Sequence, residues 1–339
     1  LKGRGEVRVE RGGELESRHR VHAVVTGLAA GEEVRYGEPS SLAHWRSSMK
    51  PFQALPIVAE GVMEALGLGD DALALVCASH AGTPRHLDGV RRILAAAGLS
   101  EEQLACGPHA PFSDEAERAV LRSGSGFLPI HNNCSGKHAG MLALALHRGW
   151  PTDGYVHPDH PVQRRIRAEL DRWLDVDPEG LAWGTDGCGV PTPRLSLRQM
   201  ARAYARLVRA ADGGHTPAAR VVDAMTGQPE LVSGAGRPAT RIMEATRGRV
   251  LAKDGAEGVL CLAGREGGWG MALKVVDGAR RAAGPSAVEA LAGLELLGRS
   301  EAGALKRVHR PEIRNTRDEV VGGLVPRMTP GRAPVPGGP

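Results

Sequence analysis

The stretch His131–Leu146, HNNCSGKHAGMLALAL, lies near the middle of the chain and reads as a loop that feeds a helix. Ser135 and Gly136 open it, and Met141, Leu142, Leu144 and Leu146 supply an apolar body. Residues three and four apart share a helix face, so Cys134, Lys137 and His138 gather on one side of the first turn. A helix N-terminus carries partial positive charge, which favours a thiolate over a thiol and an uncharged amine over an ammonium. A thiol, an amine and an imidazole there suit a metal or substrate pocket. A capped core helix accounts for the same letters, because no complete metal-ligand spacing is present.

Working outward, both flanks of this stretch are helical and both ends of the chain are strand-like. Val7–Glu10, Arg20–Gly27 and Glu33–Tyr36 read as strands, with Gly31 turning between the last two. In RSSMKPFQALPIVAEGVMEAL, Phe52, Leu55, Val58, Val62 and Leu66 recur at helical spacing and predict a buried helix after Lys50. Pro51 suits its first turn, and Pro56 predicts a kink or a later start. ALALVCASHAGTPRH is an apolar run ending at Ser79, His80 and Gly82, followed by a helix over 84–97. Ser113 caps a helix to Leu121, and His160 and Pro161 start another. Ser196–Gln199 has the capping-box form, with Leu195 and Met200 as its staple, and opens a helix to about Ala211. Thr216–Met225 gives one more. GTDGCGVPTP, residues 184–193, reads as a Gly/Pro loop outside regular structure. After Arg249 strands return at 250–253, 258–262 and 270–277, with GREGGWG as a hairpin connection, and a helix over 286–297 follows. The expected fold class is α/β (α+β). An antiparallel sheet from the two ends (about 1–40 and 245–280) is covered by helices beside an all-helical lobe (about 45–240), in one unit spanning 1–322. Residues 323–339, rich in Pro and Gly, read as a disordered tail.

Composition narrows the function. A chain of 339 residues can bury a real core. Its formal charge of +4 is small, and aromatics at 3% leave few platforms for base stacking, so nucleic acid is not expected as a partner. Five scattered cysteines make no disulfide framework and point to a reducing compartment. The polar LKGRGEVRVERGGELESRHR has no apolar signal core, and runs such as ALALVCA are far too short for a membrane span. A cytoplasmic protein without membrane contact is the expectation.

Of 43 basic residues only six are lysines: Lys2, Lys50, Lys137, Lys253, Lys274 and Lys306. Arginine keeps its proton in a protein, whereas a desolvated lysine can release one. In a chain that has drifted towards arginine, the remaining lysines are candidates for work needing a neutral amine. Lys50, Lys137 and Lys253 fall in segments singled out on other grounds.

Ser47 and Lys50 form a Ser-x-x-Lys spacing before a helix, where one turn brings an amine beside a hydroxyl. This is the acylation spacing of penicillin-recognising serine enzymes, which also need a second hydroxyl and a late basic residue on a strand. Ser79 in ASHAG and Lys253 in AKDGAEG match those two places. Asp254 stands where a Thr is usual and His80 follows Ser79, so penicillin binding is not implied. Ser48 adjoins the motif but lacks the turn spacing to Lys50. Cys77, Cys106 and Cys261 have no partner spacing and read as buried small apolar groups. His157, Asp159 and His160 sit in a two-proline loop, and GAGRPATR reads as a turn.

Taken together, RSSMKPFQALP, CASHAGTPRH, HNNCSGKHAGML, GTDGCGVPTP and AKDGAEGV resemble, in order, the motifs of the class 3, rhizobial-type L-asparaginases, also called asparaginase II. The resemblance spans roughly Val7 to Leu297. It implies a serine β-lactamase-like fold and hydrolysis of L-asparagine to L-aspartate and ammonia through a seryl acyl-enzyme. By motif match, Ser47 with Lys50 is one Ser-Lys pair and Ser79 with Lys253 the other, Ser47 being the nucleophile. The resemblance also implies Zn²⁺ held by Cys134, Lys137 and Cys188, although bare chemistry offers His138 in place of the lysine. Asp186 is expected to orient a water or the substrate ammonium, His138 to stand close by, and Arg46 to contact the substrate. A homodimer is expected by the same analogy. A glutaminase, one methylene away in substrate, and a zinc-dependent binding protein without turnover are the rival readings.

Overall fold

The computed structural model describes residues 3–28 and 32–334. The strands are β1 Arg4–Arg11, β2 Glu14–Thr26, β3 Glu32–Tyr36, β4 Leu42–His44, β5 Trp183–Thr185, β6 Pro191–Ser196, β7 Val250–Asp254, β8 Val259–Gly264, β9 Trp269–Val275, β10 Glu312–Arg314, β11 Val320–Thr329 and β12 Gly331–Pro334. The helices are α1 Lys50–Ala59, α2 Val62–Ala65, α3 Asp70–Val76, α4 Pro84–Ala96, α5 Asp114–Ser123, α6 Ser135–His147 and α7 Pro161–Leu170. They continue with α8 Leu197–Asp212, α9 Thr216–Gly227, α10 Pro229–Ser233, α11 Pro238–Ala245, α12 Ala283–Gly293, α13 Arg299–Ala304 and α14 Lys306–His309. The turn expected at Gly31 lies outside the described residues. None of the helices among the described residues is long and apolar enough to cross a membrane.

The chain clusters into two compact units where the sequence suggested one. The first comprises Leu1–Ser48, Leu195–Arg209 and Arg241–Pro339; the second comprises Met49–Arg194 and Ala210–Thr240.

The first unit is the expected antiparallel sheet, in the order β10-β11-β1-β2-β9-β8-β7, with β3 beside β2 and β12 beside β3. Gly12 and Gly13 join β1 to β2 with φ of 57° and 88°. Two successive left-handed residues match the twist of a two-residue hairpin, and glycine reaches them without steric cost. Along β1, and along β2 as far as Ala23, the odd residues Val7, Val9, Val21 and Ala23 are buried and the even ones face outward, the alternation of a sheet with one covered face. Helix α12 packs on β1, β8, β9 and β11.

Two expectations are corrected here. The segment from 323 is not a disordered tail, because β11 pairs with β1 from Arg4↔Thr329 to Arg11↔Gly322, and β12 pairs with β3. Gly322, at the boundary of that expected tail, permits this approach: a Cβ there would lie 2.1 Å from the Glu10 carbonyl oxygen. Residues 335–339 lie outside the described residues. Most of α8, expected in the helical lobe, belongs to the sheet unit. A Cβ on Gly270 of β9 would lie 2.0 Å from the Ala201 carbonyl oxygen, so the strand backbone touches the helix backbone. The capping box that opens α8 forms as expected: Gln199 Oε1 accepts from Ser196 N–H at 2.8 Å, and Ser196 Oγ accepts from Gln199 N–H at 3.3 Å.

The second unit is helical but not all-helical. GTDGCGVPTP, read as irregular, contributes to a β5–β6 hairpin with Trp183↔Pro193, Gly184↔Thr192 and Thr185↔Pro191 in register. Its prolines remove ladder donors, which hid the strand, yet Asp186 N–H still reaches Val190 O at 2.8 Å and Arg194 N–H reaches Ala182 O at 2.8 Å. Helix α1 starts at Lys50 as expected, with Pro56 inside it. The apolar run ALALVCA becomes α3, and α6 crosses it closely. A Cβ on Gly136 would meet Leu75 O at 2.3 Å, and one on Gly140 would meet Val76 Cγ2 at 2.8 Å. Glycines four apart put both on one helix face.

Two consequences are measurable. Gly270→Val forces side-chain atoms into α8 and is expected to cost about 3 kcal/mol or more in urea unfolding. Glu33 is fully buried, with Arg198 bidentate on it at 2.6 and 2.9 Å and Arg35 at 2.6 Å. Burial works to raise its carboxyl, but Arg198 and Arg35 outweigh that and hold it below the ordinary value. A depressed folded-state value stabilises above the unfolded pKa of about 4.3 and is lost as pH falls through the folded one. Glu33→Gln is therefore expected to cost about 3 kcal/mol at neutral pH. The gap between wild type and variant should narrow below about pH 4 in pH-dependent denaturation.

Candidate functional site

In the second unit two loops meet before α6. The Asn132 side chain organises one of them: Oδ1 accepts from Cys134 N–H at 2.9 Å, while Nδ2 donates to Cys106 O at 2.9 Å and Gly107 O at 3.1 Å. The ASHAG loop is tied to it through His80, whose backbone N–H donates to Asn133 O at 3.1 Å. The His80 ring is fully buried; Nδ1 accepts from Gly82 N–H at 3.1 Å and Nε2 lies 2.8 Å from Ser135 Oγ. Ser135 in turn donates to Ile130 O at 2.9 Å. With Nδ1 accepting, the proton sits on Nε2 and His80 is neutral, in keeping with burial and nearby His86 holding its pKa well below the usual value.

These ties position Ser79 against Lys50. The Lys50 amine, wholly buried at the start of α1, donates to Ala78 O at 2.5 Å and to Ser79 Oγ at 3.0 Å. Ser79 is itself held by its N–H on Val232 O at 2.8 Å.

The same unit gathers Cys134, Lys137 and Cys188, each 5% exposed or less. Lys137 Nζ donates to Cys188 Sγ at 3.0 Å. The Cys134 thiol bonds to Cys188, and with burial this pushes Cys134 up to about 12. Cys188, bonded by Cys134 and facing the Lys137 charge, is driven far below the ordinary thiol value although burial opposes it. Burial works to lower the Lys137 ammonium, but Cys188, Cys134 and Asp186 outweigh it and hold it above its ordinary value. These directions favour charge on Lys137 and Cys188 and the proton on Cys134. Asp186 shapes the turn carrying Cys188, with its Oδ1 accepting from Gly187 N–H at 2.8 Å and its carbonyl from Gly189 N–H at 2.8 Å.

His138 is fully buried one residue on. Its Nδ1 lies 2.6 Å from Tyr155 Oη, which accepts from Ala105 N–H at 2.9 Å. Burial, then the Lys137 charge, push His138 down to about 3, so it is neutral. The arrangement that wastes fewest groups has Tyr155 donating to Nδ1, leaving a proton on Nε2. That Nε2 is buried and has no hydrogen-bond partner among the described residues.

In the first unit, Ser47 lies in the 3₁₀ turn Arg46–Met49, one turn before Lys50 in the chain. Its hydroxyl is half-buried and makes no hydrogen bond among the described residues. Ser48, the neighbouring alternative, is fully buried; it donates to Lys253 O at 2.9 Å and its carbonyl accepts from Tyr204 Oη at 2.7 Å. Its hydroxyl is occupied in holding the β7 backbone. Arg46 has φ of 54°, a left-handed conformation that costs a non-glycine residue free energy and concentrates at functional turns. Lys253 is fully buried on β7, donating to Asp254 O at 2.8 Å with Asp254 Oδ1 at 3.4 Å.

Sequence reasoning did not single out Asn132, Tyr155, or the structural part of His80. The doubled Asn of HNNCS was the available signal, since a short amide next to a helix start commonly bonds nearby backbone. Cys77, Cys106 and Cys261 are buried thiols as expected. His160 caps α7, with its ring accepting from Val162 N–H.

No curated protein matches this sequence. Among solved structures the chain is similar to one described as "putative beta-lactamase from Bacteroides dorei DSM 17855", at 14% identity and a TM-score of 0.36, over 80% of this chain and 84% of that one. The model of the L-asparaginase II family matches residues 7–326, from β1 into β11 and through each of the segments that carry these side chains. On that match the chain belongs to the L-asparaginase II family, a family of amidohydrolases.

Proposed function

We propose that the chain hydrolyses the side-chain amide of L-asparagine to L-aspartate and ammonia through a seryl ester. Family membership implies the activity. The observation that carries the route is Lys50, a wholly buried amine hydrogen-bonded to the Ser79 hydroxyl and one turn beyond Ser47 in the chain.

In the proposed route Ser47 Oγ forms a bond to the amide carbon while its proton passes to the neutral Lys50 amine. The carbonyl electron pair moves to oxygen and returns as the C–N bond breaks. Ammonia leaves with the proton that Lys50 returns, Ser79 relaying it. Water then adds to the ester and gives a proton to Lys50; the C–Oγ bond breaks and Ser47 regains its proton. Lys253 takes the second relay role implied by its motif. Arg46, held in its left-handed turn, and Asp186 are assigned to the substrate's charged groups. His138 Nε2–H suits a substrate oxygen better than a metal, because it is a donor. Pairing it would relieve a buried unsatisfied group costing about 1–3 kcal/mol.

Cys134, Lys137 and Cys188 fit a zinc ion: two sulfurs and an amine are buried within bonding reach of one another. Counting His, Cys, Asp and Glu alone, no group of three forms among the described residues, so Lys137 is needed as the third ligand. Zinc bound there would supply a Lewis-acidic charge. To hold it, Cys134 and Lys137 must each give up a proton.

Lys137→Arg tests that assignment. Arginine keeps the positive charge but cannot be deprotonated, so zinc content should fall from about one per chain to near zero by elemental analysis. Ammonia release from L-asparagine and L-glutamine, measured for wild type, Ser47→Ala and Ser79→Ala, tests the route. Ser47→Ala is expected to lose at least about 10³-fold in kcat, with a larger loss than Ser79→Ala. Full activity in Ser47→Ala would move the nucleophile elsewhere, and turnover of glutamine alone would change the substrate. Zinc binding without ammonia from either amide would leave a binding protein.

A further inference from the structure

Outside this machinery, the open face of the first unit's sheet concentrates positive charge. The outward residues of β1, β2 and β11 include Arg4, Arg8, Arg18, Arg20 and Arg327, which with Glu6 line a groove of about 690 Å³. Five arginines against one glutamate leave four uncompensated charges, as many as the formal net charge of the entire chain. Register explains the crowding. Arg8 lies directly across from Arg18, and Glu6 is flanked by Arg20 on one side and Arg327 on the other. Like charges directly opposed on a sheet are destabilising, so the arrangement works against the fold.

The pairing pattern sharpens this. Glu6 is bonded to Arg8 at 2.6 Å. Arg4, Arg18, Arg20 and Arg327 make no ion pair or side-chain hydrogen bond among the described residues. Elsewhere in the same unit arginines find acids: Arg198 and Arg35 on Glu33, and Arg249 on Glu301. Gly3, Gly5 and Gly37 also line the groove, and a Cβ on Gly37 would sit 2.2 Å from His22 Nδ1.

We propose that this groove binds a small oligophosphate, an anion of two or three linked phosphoryl groups. Guanidinium forks match phosphate oxygens in bidentate fashion and are weakly enough hydrated to be drawn from water by it. Arg4 to Arg8 spans about 13 Å of strand, with cross-strand neighbours about 5 Å away, an array for several linked charges rather than one. The volume lies in the small-ligand range. Among the described residues no Phe, Tyr or Trp lines the groove and His22 is its one ring, too few platforms for a run of stacked bases, so a nucleic acid is the weaker candidate.

The test is calorimetric titration of inorganic tripolyphosphate into the full chain, with sulfate at matched ionic strength as control. Binding near one per chain is expected, with affinity at least tenfold weaker in the Arg18→Ser, Arg20→Ser double variant. Both residues are exposed and outside the catalytic assignments, so the variant should melt no lower than wild type and keep its ammonia release. If it does not, Arg327→Gln serves instead, with a severalfold loss expected. Heat no greater than with sulfate, undiminished affinity in the variants, or tight binding of a single-stranded oligonucleotide with none of tripolyphosphate would each overturn the proposal.

Discussion

Burying a lysine amine is costly unless acceptors are built around it, and this chain buries three. Lys50, Lys137 and Lys253 are 1% exposed or less. Each is answered differently: Lys50 by the Ala78 carbonyl and the Ser79 hydroxyl, Lys137 by the Cys188 sulfur, Lys253 by the Asp254 carbonyl and carboxylate. Acceptors this close demand fixed backbone, which is why the loops carrying them are cross-tied. His80 and Asn132 anchor the Ser79 loop and the start of α6, and neither needs to meet a substrate to matter. They convert irregular loop segments into parts of a rigid surround.

A second constraint is close approach between elements. Gly136 and Gly140 let α6 lie against α3, bringing the helix start with Cys134 and Lys137 onto the strip that ends in Ser79. Gly270 does the same for β9 against α8, and Gly322 for β11 against β1. None of these glycines sits at positive φ, so their role is absent volume rather than conformational freedom. A methyl group at Gly136, Gly270 or Gly322 would have to displace backbone, which a packed interior resists.

The three special lysines were legible in the sequence because arginine had replaced lysine almost everywhere else. Of the remaining lysines within the described residues, Lys274 is half-buried and Lys306 exposed, so the distinction was physical. The alternating strands, the capping box at Ser196 and the order of the five motifs were legible for similar reasons: each is a local pattern with a local cause. The tail from 323 was not, because its Gly and Pro content looks disordered until β1 is beside it to pair. The β5–β6 hairpin was hidden by prolines for the same reason. The meeting of Lys137 and Cys188 was also out of reach, since residues 51 apart in the chain come to 3.0 Å only through the fold.

By itself, then, the sequence singled out the candidate residues for chemistry and determined that strands from both ends enclose a helical insert. Periodicity, capping and residue type act over a few neighbours and survive without a fold. Tertiary structure alone decided that Ser48 is spent on the Lys253 carbonyl while the Ser47 hydroxyl makes no hydrogen bond among the described residues, and that Lys50 holds Ser79. It also decided that opposed arginines crowd one sheet face. Those outcomes depend on strand register and on contacts between residues far apart in the chain, and no local pattern encodes a distance.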